Sequence, residues 1–82
     1  MDIHDTEIKK KIVDCRGLAC PLPILHVRLA LNTMQAGDAL EILADDPTFA
    51  KDFAQFCHLA QVDWIATESC ETFTRYQIRV IT

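Results

Sequence analysis

A two-layer α/β sandwich is the fold class that this sequence predicts: β-α-β-α-β-β, a four-stranded mixed sheet with both helices on one face. Three observations predict it. Short β-branched or alternating stretches and amphipathic stretches take turns along the chain. A strand, a helix and a strand in succession imply a parallel pair joined by a right-handed crossover, and the last two strands follow one another as a hairpin does. Two helices are too few to cover both faces of four strands, so they are expected on one.

Each element has its own grounds. Residues 1–7 are polar and expected to be loose. Residues 9–15, "KKKIVDC", are short and β-branched and read as the first strand. Residues 16–19 form a loop in which Gly17 supplies the bend. The spacing then predicts a helix over residues 21–34. Ile24, Val27, Ala30, Leu31 and Met34 fall in one stripe about 120° wide, the expected core face, while Asn32 and Thr33 lie off it. Residues 35–38, "QAGD", end that helix with Gly37 as the turn residue.

Residues 39–44, "ALEILA", read as the second strand. Asp45 and Asp46 then offer an N-cap and first-turn charges, with Pro47 at the first helical position. The second helix runs to about Leu59 with Phe49, Ala50, Phe53, Phe56, Cys57 and Ala60 on one face. Residues 62–69 alternate and read as the third strand, residues 70–73 as a turn, and residues 74–81 as the fourth strand with Tyr76, Ile78 and Val80 on one side. Trp64 is placed in strand core or on the sheet surface.

Composition narrows the function. With 82 residues, one domain spanning residues 1–82 is expected. Half the residues are hydrophobic, enough for a core without staples, although a domain this small buries only about 60% of its unfolded surface. The net charge of −4 argues against direct nucleic-acid binding through phosphates. The one basic run, Lys9 to Lys11, reads as the solvated start of a strand. No apolar run is long enough for a membrane span, and the first residues carry no apolar leader, so a cytoplasmic location is expected. The four cysteines, Cys15, Cys20, Cys57 and Cys70, are then expected to be reduced. Their spacing lacks the close pairs of structural zinc sites, so neither a metal nor a cofactor is expected.

The chemistry gathers in residues 17–25, "GLACPLPIL". Pro21 suits the first helical position, where a missing N–H has no helical partner. Cys20 before it is biased toward extended backbone and stands at or beside the N-cap. Pro21 and Pro23 stiffen the junction. The N–H groups of Leu22 and Ile24, together with the helix dipole, are expected to favour a Cys20 thiolate and lower its pKa. No acid lies between Asp14 and Asp38, and Arg16 and Arg28 are the nearest cations in sequence. His26, more than a turn down the helix, reads as a surface residue rather than a base. The plain alternative is a helix start that happens to use a buried cysteine.

These residues resemble the TusA/SirA-like family of small sulfur-carrier proteins. The family pattern is Cys-Pro-x-Pro at the start of the first helix, preceded by Asp-x-x-Gly-Leu. Here that is Asp14, Gly17, Leu18, Cys20, Pro21 and Pro23. "NTMQAGDALEILADDP" (32–47), Phe56 with Cys57, and "RYQIR" (75–79) resemble its TusA branch, so the likeness covers residues 12–81. The resemblance implies the sandwich already read. It also implies a sulfurtransferase in which Cys20 carries sulfane sulfur as a persulfide. The donor would be a cysteine desulfurase or a rhodanese-type protein, and the acceptor a downstream sulfur-relay protein. The pathways served in that family are tRNA 2-thiolation, molybdenum-cofactor supply and sulfur oxidation.

Partner contact is expected around the sulfur. Leu22, Leu25 and Leu29 form a second stripe that either packs on the second helix or stays exposed as a docking strip beside Cys20. Arg16, Asp45 and Asp46 are further docking candidates, although capping is the plain role of the two acids. Cys57 lies on the apolar face of the second helix and is expected in the core. Cys15 and Cys70 stand outside the family pattern, Cys15 as a packed thiol or a resolving one and Cys70 as a spectator in a turn. A monomer is expected. The rival functions are a non-catalytic interaction or regulatory module, and a Cys15/Cys20 thiol redox switch.

Overall fold

The structure, a computed structural model, describes residues 10–81. The expected loose segment 1–7 lies outside the described residues. The elements are β1 (Lys10–Asp14), α1 (Leu22–Leu31), β2 (Ala39–Ala44), α2 (Phe49–Ala60), β3 (Val62–Ser69) and β4 (Thr74–Val80). The sheet order is β1-β2-β4-β3, with β1 and β2 parallel and the other neighbours antiparallel. The predicted mixed sheet, crossover and closing hairpin are all present. No described helix is long and apolar enough to cross a membrane.

The strand order follows from side-chain pattern. β2 buries Leu40, Ile42 and Ala44, and β4 buries Tyr76, Ile78 and Val80. Strands with one fully covered face belong at the centre, so β4 inserts between β2 and β3. β3 is exposed at nearly every position and takes the edge. Ile42 pairs with Tyr76 and Leu40 with Ile78, which lines up one apolar row beneath the helices. On the opposite face Glu41 pairs with Lys10 at 3.1 Å and Arg75 at 2.9 Å. That face is polar and closed on itself by ion pairs.

The helices meet the apolar row with Val27 and Ala30 from α1 and Phe49, Phe53 and Cys57 from α2. Phe53 is the hub. Its ring lies 5.0 Å from Phe49, 5.3 Å from Tyr76 and 5.0 Å from Trp64. Trp64 reaches this cluster from the edge strand, and a bulge between Trp64 and Ala66 restores the register beyond it.

Several boundaries differ from expectation, each for a local reason. The first helix stops at Leu31 rather than residue 34. Thr33 and Met34 donate to the carbonyls three residues back, Ala30 and Leu31, a tightened final turn in place of α-helix. Gly37, at φ +93°, makes the predicted turn. Pro21 is the N-cap of α1 rather than its first residue, and Pro23 stands at the second helical position, where no helical N–H bond is lost. Pro47 also precedes its helix, because the Asp46 carboxylate draws the Thr48 N–H (3.2 Å) and hydroxyl (3.0 Å) into a local turn. Thr48 is therefore the N-cap of α2, in place of the aspartates. Ala50, expected on the α2 core face, is exposed, while Pro23 is buried.

Candidate active site

The β1–α1 loop carries the Cys-Pro-Leu-Pro segment to the surface at the mouth of α1. Its shape is held from both ends. At the β1 end, the Asp14 carboxylate accepts from the Arg16 guanidinium at 2.9 and 2.8 Å and from the Arg16 N–H at 3.1 Å. Arg16 holds that carboxyl near pKa 2, well below the usual carboxylate range. The guanidinium also lies over the Phe73 ring, 5.2 Å from its centre. Gly17 adopts φ +83°, a conformation open to glycine, and donates its N–H to both Asp45 oxygens at 3.0 Å. Leu18 is half-buried against the core.

At the helix end, the Cys20 N–H donates to Asp46 Oδ2 at 2.9 Å. The Leu22 N–H, expected to serve a thiolate, donates to the Ala19 carbonyl at 2.9 Å instead. Pro21 follows Cys20 through a cis peptide bond. Beneath the loop Pro23 is buried, and the Cys15 thiol donates to its carbonyl at 3.8 Å.

The sulfur faces acids. Cys20 is exposed, and its thiol donates to Asp52 Oδ2 at 3.1 Å. The hydrogen bond to Asp52 comes first in pushing the thiol pKa up, then desolvation, then the charges of Asp52 and Asp46. This corrects the expectation of a lowered pKa. Asp46 and Asp52 lie 26 and 32 residues away in sequence, so no local reading of the motif contains them.

Between α1 and α2 an open groove of about 340 Å³ starts at the sulfur, lined by Cys20, Pro21, Ile24, Asp52, Phe56 and Leu59. It is continued by a second hollow against Arg28. Leu22, Leu25 and Leu29 are 45%, 47% and 65% exposed, so this stripe lies open rather than packed on α2, and Leu59 of α2 adds to it at 75%. The structure thus brings together Cys20, Asp46 and Asp52, and joins Asp45 to Gly17. It leaves His26 exposed on α1. Asp52, Phe56 and Leu59 are the site residues that sequence reasoning missed. They follow one flank of α2 at helical spacing, a signal that was present but pointed to no particular partner.

Asp46 carries a test of its own. Its carboxyl pKa is lowered from 3.8, first by the Thr48 N–H, against a desolvation penalty, and further by the Cys20 N–H. A lowered folded value means that this tie is at full strength above pH 3.8 and is lost as the pH falls through the lower folded value. The Cys20 amide resonance is expected to titrate with a midpoint below 3.8, and an Asp46→Asn protein to lose that titration. A midpoint at or above that value in the wild type counts against the tie.

A two-layer sandwich that displays a thiol at the mouth of its first helix defines a class of small thiol-bearing domains. Within it, the chain belongs to the TusA sulfurtransferase family, whose model, "Sulfurtransferase TusA", matches residues 11–81. Among solved structures, a SirA-like protein from Desulfitobacterium hafniense superposes with a TM-score of 0.69 over 88% of this chain and 99% of that one. At 19% identity, that likeness concerns the fold alone.

Proposed function

We propose that this protein is a sulfur carrier, a monomeric single domain that accepts sulfane sulfur as a persulfide on Cys20 and relays it to a downstream protein. One observation carries the assignment to Cys20: it is the exposed cysteine of the four. Cys15 and Cys57 are buried, and desolvation pushes both thiols up, Cys57 to about 11. Cys70 is half-buried in the β3–β4 turn. The burial of Cys15 also weighs against a Cys15/Cys20 redox switch.

In receipt, Sγ of Cys20 attacks the outer sulfur of a donor persulfide. A new S–S bond forms, the donor's S–S bond breaks, and the donor cysteine leaves with the electron pair and takes a proton. In delivery, an acceptor thiolate attacks the outer sulfur of the Cys20 persulfide, and Cys20 is the leaving group. Both steps are exchanges at sulfur without net oxidation. The donor is a cysteine desulfurase or a rhodanese-type protein, docked over the apolar strip of Leu22, Leu25 and Leu29.

Incubation with a cysteine desulfurase and cysteine, followed by intact-protein mass spectrometry, tests this. The wild type is expected to gain one sulfur, removed by dithiothreitol, and Cys20→Ser to gain none. An adduct that survives in Cys20→Ser moves the site to another cysteine. With a desulfurase that loads other members of the family, an unmodified wild type overturns the carrier function.

A further inference from the structure

The geometry around Cys20 sets a problem for a sulfur carrier. Attack on a persulfide needs a thiolate, and thiolates are favoured by nearby cations or helix donors. Here the charged groups acting on the sulfur are Asp52 and Asp46, both anionic. Asp52 reaches it from the first turn of α2 and Asp46 from the β2–α2 loop. Arg16, the nearest cation in sequence, is committed to Asp14. A donor persulfide adds a further negative charge as it approaches. Helix-dipole stabilisation explains an acid in the first turn of α2, but does not by itself explain why Oδ2 lies 3.1 Å from the reactive sulfur.

We infer that Asp52 is a catalytic residue of sulfur receipt: it holds the proton of Cys20 Sγ at rest, and releases the thiolate when the donor protein sets a cationic side chain against its carboxylate. This deepens the carrier reading and rests on it for the transfer step. The resting carrier is a quiet thiol, guarded from alkylation and from chance disulfide exchange. The docked carrier is an active one. The donor has a stated chemistry: a lysine or arginine beside its persulfide cysteine, bordered by apolar surface to meet the leucine strip. Charge complementarity selects it, because the two aspartates beside the sulfur, Asp52 and Asp46, repel an anionic donor persulfide that brings no such cation. The proton lost by Sγ balances the one gained by the departing donor cysteine, so the exchange needs no other reactant.

The test uses Asp52→Asn, which keeps an acceptor oxygen and removes the charge, and Asp52→Glu, which keeps the charge. Two rates are measured. The first is alkylation of Cys20 by iodoacetamide across pH, followed by peptide mass spectrometry. The second is sulfur loading from a cysteine desulfurase at low and high salt. In Asp52→Asn the alkylation midpoint is expected to move down by about one pH unit, making alkylation near neutral pH roughly tenfold faster. Loading is expected to slow in the same variant and to lose the salt sensitivity of the wild type. Asp52→Glu is expected to restore the wild-type midpoint.

Opposite movement of the two rates is the signature, since a purely structural defect does not speed alkylation at a lower pH. An unchanged midpoint in Asp52→Asn overturns the proton-holding role. Faster alkylation together with faster loading overturns the donor cation. If the wild type takes up no sulfur at all, the carrier function fails, and the alkylation profile still decides whether Asp52 holds the proton.

Discussion

Phe53→Ala is expected to destabilise the fold by about 3–5 kcal/mol, a large share of the roughly 5–15 kcal/mol that holds a domain together. Phe53 is fully buried, and its ring touches those of Phe49, Trp64 and Tyr76. Truncation removes apolar burial and leaves a cavity where three rings met, and edge-to-face contacts add to the loss. Through Phe53, α2 meets both the central strand β4, at Tyr76, and the edge strand β3, at Trp64. Urea unfolding, followed by far-ultraviolet circular dichroism and by Trp64 fluorescence, measures the change. A loss below about 1.5 kcal/mol would mean that the site collapses around the gap and that α2 is held by other contacts. The effect reaches the sulfur, because α2 also carries Asp52.

The same helix shows what the sequence made legible and what it did not. Phe49, Phe53 and Cys57 are buried as their spacing predicts, because a helical period reports which residues share a face. It does not report what the face meets. Leu22, Leu25 and Leu29 share a second stripe of α1, whose spacing does not decide between packing on α2 and facing solvent, and all three stay exposed. Pro23, whose place in the motif suggests only a stiffening role, is buried. The order of strands and helices was readable because alternation and amphipathic period are local. The choice of β4 for the sheet interior was implicit in Tyr76, Ile78 and Val80.

The sulfur was misread electrostatically for the same reason. Within the motif there is no acid, so a helix mouth with a cysteine suggested an activated thiol. The fold brings Asp46 and Asp52 to it across the β2–α2 junction, and Asp46 is used there to shape the Cys20 loop as well as the start of α2. Two aspartates read as caps from sequence turn out to tie two loops together, one to Gly17 and one to Cys20.

Leu25→Glu combined with Leu29→Glu is expected to slow sulfur loading at least tenfold while leaving the fold intact. Both side chains lie open on α1, and glutamate is nearly as good a helix former as leucine, so stability is expected to change by no more than about 0.5 kcal/mol per site. Loading differs, because a donor that docks over the strip must then desolvate two carboxylates. A loss of about 1.4 kcal/mol in the docked complex is a tenfold change. The added acids also attract a cationic donor, so charge and burial pull in opposite directions in this variant. Leu25→Gln with Leu29→Gln separates them. If apolar burial drives docking, both pairs slow loading, and iodoacetamide alkylation of Cys20 stays at the wild-type rate because that reagent needs no docked partner. Should the glutamate pair load as fast as the wild type while the glutamine pair does not, attraction to the donor's cation outweighs burial, and the acids at the groove mouth govern recognition. Wild-type loading in both well-folded pairs would remove the leucine strip from the docking surface and leave the groove between α1 and α2, with Ile24, Phe56 and Leu59, as the remaining apolar route to the sulfur.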